Sequence, residues 1–203
     1  MIPLDPFYPI VPDTRWLARL LPAGIKLVQL RIKDEPSDVV AAEIVKARDL
    51  CAKARCQLVV NDYWREAIDA GADFVHLGQE DLASADLGAI RRAKIRIGIS
   101  THSEEELETA LAAAPDYVAL GPIYPTLLKK MPWAPQGLDR IGAWNERIAC
   151  PLVAIGGITP ERAQGVFAAG ADSVAVITDI LAHDDPVRRT EAWLSCTQSL
   201  RER

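Results

Sequence analysis

The chain has 203 residues, a length that suits one domain with a core large enough for a small enzyme. We therefore predict a single domain over residues 1–203. The 23 basic and 28 acidic residues give a formal charge of −5, and the sequence contains no basic block. This pattern argues against a nucleic-acid or membrane partner and leaves small molecules as the expected ligands.

The cysteines and the hydropathy profile indicate a soluble protein in a reducing cytoplasm. No two cysteines have metal-ligand spacing, and all four lie in or beside apolar runs: Cys51, Cys56, Cys150 and Cys196. Buried thiols explain this pattern better than a catalytic role. The N-terminus lacks a basic region, and no apolar run is long enough to span a bilayer. The sequence leaves the oligomeric state open between a monomer and a homo-oligomer.

Short apolar runs alternate with helical patterns along the whole chain. The predicted strands are residues 8–11, 27–32, 58–61, 74–77, 95–100, 117–120, 152–155 and 174–177. Helix signals lie between them, such as the capping box of Ser103 and Glu106 and the opening pair Thr159-Pro160. Eight strand–helix pairs favour an α/β fold, a (β/α)8 TIM barrel with its active site at the C-terminal strand ends. A doubly wound open sheet is the alternative, but no Gly-x-Gly-x-x-Gly follows the first strand.

The second predicted strand carries polar side chains on one face. Gln29, Arg31 and Lys33 alternate with Leu30 and Ile32, so their side chains share one face of the pleat. An edge strand with solvated charges would show the same pattern, but the second strand of a closed barrel has no edge. At the barrel mouth, the guanidinium and ammonium groups suit phosphate oxygens.

Carboxylates follow the next two predicted strands. Asn61-Asp62 ends the third strand, and Gln79-Glu80-Asp81 follows the fourth. Asp62 alone would also be explained as a helix cap. Because neighbouring parallel strands end at the same edge of the sheet, we expect Asp62 and Asp81 to reach one cation. Mg²⁺ takes one or two carboxylates plus substrate phosphates, so the sequence predicts a magnesium site.

The fifth predicted strand ends in Ser100-Thr101-His102, whose hydroxyl groups suit a polyanion, although either could simply start a turn. His76 and His102 are candidate general bases. No Ser or Cys motif completes a nucleophilic triad, however, which argues against His76 acting in chemistry.

Two later segments indicate a second anion site. The connection over residues 121–137 is longer than the usual strand-to-helix turn of about 2–6 residues, and it contains prolines and the pair Lys129-Lys130. We interpret it as a lid that closes over an anion. Gly156-Gly157 after the seventh strand and a short helix after the eighth would bring backbone N–H groups to a phosphate. A tight turn alone would also explain the two glycines.

The ordered set of motifs resembles the thiamine-phosphate synthase family over nearly the whole chain. The motifs are QLRIKD (29–34), NDYWR (61–65), HLGQED (76–81), GISTH (98–102), GPIYPT (121–126) and AIGGI (154–158). The resemblance implies a (β/α)8 barrel that joins hydroxymethylpyrimidine diphosphate to thiazole phosphate, with magnesium. The implied products are thiamine monophosphate and pyrophosphate.

The resemblance also implies a role for individual residues. Asp62 and Asp81 would hold the Mg²⁺ ion, and Gln29 would contact the pyrimidine. The residues implied for the diphosphate and the reacting centre are Arg31, Lys33, Asn61, Ser100 and Lys129, of which Ser100, Arg31 and Lys129 would be catalytic. The residues implied for the thiazole phosphate are Thr126, Gly157, Ile177 and Thr178. In this family the diphosphate departs before the thiazole nitrogen attacks a pyrimidine carbocation, so no protein nucleophile is needed.

Three departures from the family pattern concern the site. Many members have Arg at the position of Tyr63. A bacterial subgroup resembles this chain there, with Asn-Asp-Tyr-Trp. Leu128 replaces a threonine of the loop, and one lost hydrogen bond to a charged group costs about 1.5–3 kcal/mol. Thr178 conservatively replaces a serine, and Asp179 adds an acid beside the expected phosphate.

Two other functions remain open from the sequence. A thiazole tautomerase-like isomerase would share the barrel, but such relatives generally lose the Asn-Asp and Gln-Glu-Asp motifs that this chain keeps. A non-catalytic binding or regulatory protein would account for Leu128 and Asp179.

Overall fold

Eight parallel strands close into one barrel, in chain order from β1 to β8. The structure, a computed structural model, describes residues 4–126 and 134–201. The strands are β1 Phe7–Val11, β2 Leu27–Leu30, β3 Gln57–Asn61, β4 Phe74–Leu77, β5 Arg96–Thr101, β6 Tyr117–Leu120, β7 Leu152–Ile155 and β8 Ser173–Val176. The predicted α/β class and (β/α)8 barrel are confirmed, and the open-sheet alternative is wrong.

Helices follow the strands and cover the outside of the barrel. Within the described residues they are α1 Thr14–Leu20, α2 Ser37–Ala54, α3 Trp64–Ala70, α4 Gln79–Ser84, α5 Leu87–Arg92, α6 Glu104–Ala112, α7 Gly137–Asn145, α8 Pro160–Ala168, α9 Thr178–Leu181 and α10 Pro186–Arg201. None of these described helices is long and apolar enough to cross a membrane. The Ser103 hydroxyl caps α6, and Thr159-Pro160 opens α8, as predicted.

Two predicted strands are too long at their C-terminal ends, β2 by two residues and β8, which stops at Val176, by one. β2 stops at Leu30, whereas the prediction extended it to residue 32. The neighbouring β1 ends at Val11, which pairs with Leu30, and the last bond between them runs from the Arg31 N–H to the Val11 carbonyl at 2.8 Å. The strand therefore runs out of partners. The alternation continues beyond it, because Ile32 is buried between exposed Arg31 and Lys33.

The barrel interior is apolar at one end and polar at the other. Its apolar layer consists of Tyr8, Ile10, Leu27, Val59, Phe74, Tyr117, Ala119, Val153 and Ala175. Side chains two residues apart on a strand share a face. The residue two positions further along each strand therefore also points into the barrel, nearer its C-terminal end. These positions include Gln29, Asn61, His76 and Ser100. The fold therefore gathers polar groups from four strands at the end where barrel active sites lie.

Candidate active site

Two carboxylates meet where β3 and β4 end. Asp62 follows β3, with its N–H donating to the His76 carbonyl at 2.8 Å and its backbone in the left-handed region at φ 65°. Asp residues adopt this conformation more readily than most. The residue that caps α3 is Tyr63, so the helix-cap explanation for Asp62 is wrong. The Asp62 carboxylate instead accepts a hydrogen bond from Lys33 Nζ at 3.0 Å.

Asp81 lies in the first turn of α4, within hydrogen-bonding reach of Asp62. Partial burial raises the pKa of the Asp81 carboxyl, and the negative charge of Asp62 raises that pKa further. Two carboxylates crowded in this way are a site that a cation would stabilise.

The donor set at Asp62 and Asp81 fits magnesium. No cluster of three or more His, Cys, Asp or Glu residues able to hold a metal occurs in the described part of the chain. Mg²⁺ does not need one, because it is usually held by one or two carboxylates and completed by water and substrate phosphates. The pair therefore has the right chemistry for an ion that arrives with a diphosphate.

One cationic side chain contacts this pair, and a second lies near the neighbouring His76. Lys33 is half exposed, with 49% of its side chain accessible, and it contacts Asp62 directly. Arg31 is exposed and lies close enough to His76 to lower the pKa of that imidazole. Among residues 4–126 and 134–201 no side chain pairs with the Arg31 guanidinium, so it can bind an anion. Asn61 is the buried last residue of β3.

One predicted diphosphate ligand lies outside the residues that the structure describes. Lys129 and Leu128 lie in residues 127–133, which the structure does not describe, together with the central part of the predicted lid.

A row of buried polar side chains crosses the barrel interior. Gln29 Nε2 donates to the Tyr8 hydroxyl at 3.0 Å, which is 3.0 Å from the Tyr117 hydroxyl. His76 Nδ1 lies 2.7 Å from the Tyr117 hydroxyl, and His76 Nε2 lies 2.7 Å from Ser100 Oγ. Sequence reasoning missed Tyr8 and Tyr117, because an aromatic residue in an apolar strand looks like core. The polar neighbours Gln29 and His76 on the same predicted face were the available signal.

Burial controls the protonation of this row. Desolvation lowers the pKa of His76 to about 4, so the imidazole is neutral at pH 7. Desolvation also raises the pKa values of Tyr8 and Tyr117, so both hydroxyls keep their protons.

The Gly156-Gly157 turn packs tightly against the connection after β6. Both glycines have positive φ, 101° and 65°. The Tyr124 N–H donates to the Gly156 carbonyl at 3.0 Å, and a Cβ on Gly157 would lie 2.5 Å from the Pro125 carbonyl oxygen. The two glycines therefore form a tight turn, and the same packing puts Gly157 beside the segment that leads to Thr126.

The short helix predicted after the eighth strand is α9. It starts at Thr178, directly after Ile177, and Ile177 packs on the apolar layer inside the barrel together with Ile155. The structure thus places Ile177 and Thr178 at the same end of the barrel as Gly157.

Asp179 does not face this end as an unpaired acid. Its carboxylate accepts two hydrogen bonds from Arg189, both at 2.8 Å, and one from Trp193 Nε1 at 2.7 Å. Both partners belong to α10. The acid that the sequence puts beside the expected phosphate is therefore paired within the fold and not a free carboxylate. The Asp179 carboxylate in turn raises the pKa of Arg189.

Fold and site together define an enzyme built on a (β/α)8 barrel, with acids and cations at the C-terminal strand ends. The sequence matches the family described as thiamine monophosphate synthase over residues 8–180. The thiamine-phosphate synthase of Rhizobium etli is 62% identical over 195 residues, covering 96% of this chain and 96% of that protein. That of Escherichia coli strain K12 is 50% identical over 174 residues, covering 85% of this chain and 82% of that protein.

Solved structures are similar over the same length. Thiamine phosphate pyrophosphorylase from Pyrococcus furiosus has a TM-score of 0.85 at 28% identity, covering 97% of this chain and 96% of that chain. A 3-hexulose-6-phosphate synthase, with a TM-score of 0.68 at 16% identity over 93% of this chain and 98% of that chain, shares the fold alone. The chain belongs to the thiamine monophosphate synthase family and is a transferase.

Proposed function

We propose that this chain joins hydroxymethylpyrimidine diphosphate to hydroxyethylthiazole phosphate, releasing pyrophosphate and forming thiamine monophosphate. The observation that carries the proposal is the contact of Lys33 Nζ with the Asp62 carboxylate, with Asp81 within reach and Arg31 nearby. This arrangement offers a cation site and free positive charge side by side. A diphosphate with its metal ion needs both.

In the proposed site, Asp62 and Asp81 would hold Mg²⁺, which when bound would supply positive charge beside the diphosphate. Lys33 and Arg31 would bind oxygens of the diphosphate. The exposed guanidinium of Arg31 offers two parallel N–H donors, a geometry that matches phosphate. Asn61 adds an amide, and Lys129 is proposed to contribute from the connection after β6.

The proposed reaction needs no protein nucleophile. The diphosphate leaves first, and the thiazole nitrogen then attacks the pyrimidine carbocation. Gln29 binds the pyrimidine, and Ser100 lies at the reacting centre. His76 is not available as a base or nucleophile, since both ring nitrogens are occupied by hydrogen bonds. The protein contributes position and electrostatic stabilisation.

The thiazole phosphate is proposed to bind across the barrel mouth, at Thr126, Gly157, Ile177 and Thr178. The contact between the Gly156-Gly157 turn and the connection after β6 supports one shared pocket for this substrate. The pairing of Asp179 with Arg189 removes one of the two reasons for the non-catalytic alternative.

Exchange of single carboxylates tests the proposed metal site. Asp62→Asn and Asp81→Asn keep the side-chain shape but remove a negative charge, so we expect each to lower kcat by about 100-fold or more. Asp69→Asn, on the exposed side of α3, is the matched control and should keep wild-type turnover. Chelation of Mg²⁺ should stop the wild-type reaction, and added Mg²⁺ should restore it. Full activity of both site variants would refute the metal site.

A further inference from the structure

In the row of buried side chains from Gln29 to Ser100, the donor and the acceptor of each hydrogen bond are fixed by the neighbouring bonds. Gln29, Tyr8, Tyr117 and His76 are 2%, 1%, 0% and 7% exposed. The two tyrosine hydroxyls and the ring nitrogens of His76 find their partners within the row. Each tyrosine has a single hydroxyl proton, and a neutral imidazole has a single N–H, so Tyr8, Tyr117 and His76 can each donate only once along the row.

Gln29 determines which way the row runs. Its Nε2 is a donor and faces the Tyr8 hydroxyl, so Tyr8 accepts there and donates to Tyr117. Tyr117 then donates to His76 Nδ1, which must be the unprotonated nitrogen. The proton of His76 is therefore on Nε2, facing Ser100 Oγ.

The fold makes room for this row at one position. β5 pairs with β6 so that Gly98 lies opposite Tyr117. A Cβ at Gly98 would lie 2.1 Å from Cζ of the Tyr117 ring. Only glycine lets the ring cross β5 and bring its hydroxyl between Tyr8 and His76. The Ser100 backbone is held as well, because Gln79 Nε2 donates to the Ser100 carbonyl at 2.7 Å.

We propose that His76 is a positioning residue whose Nε2–H donates to Ser100 Oγ, so that the Ser100 O–H points away from the row and toward a bound ligand. The acceptor that fits this O–H is an anionic oxygen, and, resting on the proposed function, it is an oxygen of the departing diphosphate. A row running the other way would use up the Ser100 proton on His76 and present only lone pairs, which suit a cation. The direction of the row therefore decides what Ser100 can stabilise.

Nitrogen NMR on the unliganded protein tests the tautomer directly. The chain has three histidines, so the spectrum of His76→Gln identifies the resonances of His76. We expect Nε2 of His76 to be protonated and Nδ1 to be unprotonated at pH 7. A protonated Nδ1, or a doubly protonated ring, would overturn the proposal. Because no substrate is present, this result does not depend on the proposed function.

Paired substitutions test whether His76 acts through Ser100. His76→Leu removes the donor, and we expect kcat to fall by about 10- to 100-fold with little change in either KM, as for a lost hydrogen bond to a charged group. His76→Gln keeps an N–H near the position of Nε2 and should retain most of the activity. In a Ser100→Ala background, His76→Leu should cause no further loss.

Multiplied losses in the double variant, or equal losses in His76→Gln and His76→Leu, would show that His76 only supports the fold. His183→Leu, at an exposed site before α10, controls for replacement of a histidine. Thermal unfolding checks that each variant folds. If the wild-type chain forms no product, the proposed function fails while the NMR result still decides the direction of the row.

Discussion

At the scale of single residues, burial of His76 makes the stability of the fold depend on the protonation of its imidazole. In the folded chain its pKa is lowered from 6.5 to about 4 by desolvation, which outweighs the attraction of Asp62. The unfolded chain therefore binds the additional proton more readily between these two pH values. The stabilising effect of a neutral imidazole is complete above pH 6.5 and is lost as the pH falls toward 4.

We predict that this loss amounts to about 3 kcal/mol of unfolding free energy between pH 6.5 and 4. Urea unfolding of the wild type and His76→Gln over this range measures it. The difference in unfolding free energy between the two proteins should shrink as the pH falls, while His183→Gln should follow the wild type. A difference that does not change with pH would contradict the assignment of a buried, neutral His76.

Gly98 is a second residue with a specific role, which is to leave space for the ring of Tyr117. Gly98→Ala forces its Cβ into the Tyr117 ring, so we expect destabilisation of about 1–3 kcal/mol and displacement of the Tyr117 hydroxyl. Gly142→Ala in α7 is the matched control, because the nearest atom to its added Cβ is 3.7 Å away. That variant should be neutral or more stable by up to about 1 kcal/mol, as expected for a helix. Equal unfolding free energies for the two variants would show that Tyr117 can move aside.

At the scale of elements, Arg189 ties three helices together behind the proposed thiazole-phosphate site. It binds Asp179 of α9 and Glu161 of α8 from its own position in α10. The Asp179 and Arg189 side chains are only 15% and 18% exposed. The ends of α8 and α9 that follow β7 and β8 are thus held in a fixed relation.

We predict that Arg189→Met destabilises the chain by about 1–3 kcal/mol, because it leaves the carboxylate of Asp179 with one partner fewer. It should also raise the KM for thiazole phosphate more than the KM for the pyrimidine diphosphate, since the proposed site for the pyrimidine diphosphate lies on the opposite side of the barrel mouth. Arg188→Met, on the adjacent exposed position, is the control. Equal changes in both KM values would mean that the arrangement of these helices does not affect the thiazole-phosphate site in particular.

The interior of each strand was predictable, but its ends were less so. Apolar runs between turn signals identified β4, β6 and β7 to the residue. The end of β2 depends instead on where β1 stops, which is a property of the neighbouring strand. Asp179 shows the same limit, because its partners Arg189 and Trp193 are brought to it by the packing of α10. When the partner of a side chain is distant in the sequence, the sequence alone does not show which way that side chain points.

At the scale of the whole molecule, the barrel explains how an acidic chain gathers positive charge at one place. The formal charge is −5, yet Arg31 and Lys33 lie together at the C-terminal mouth. The fold was predictable because eight strand–helix units leave few ways to bury their apolar faces. That Asp62 and Asp81 come together was predictable for the same reason, since parallel strands end at one edge, while their binding of metal and diphosphate stays a prediction. The row through Tyr8 and Tyr117 was not predictable, because it depends on the closure of the barrel.

The most direct test of the account is a turnover measurement with the purified chain, Mg²⁺ and both substrates. We expect thiamine monophosphate and pyrophosphate to form in equal amounts, and neither to form when one substrate is omitted. Absence of thiamine monophosphate would contradict the account. Proton exchange on the thiazole phosphate without the pyrimidine substrate, in place of coupling, would show that the chain is an isomerase.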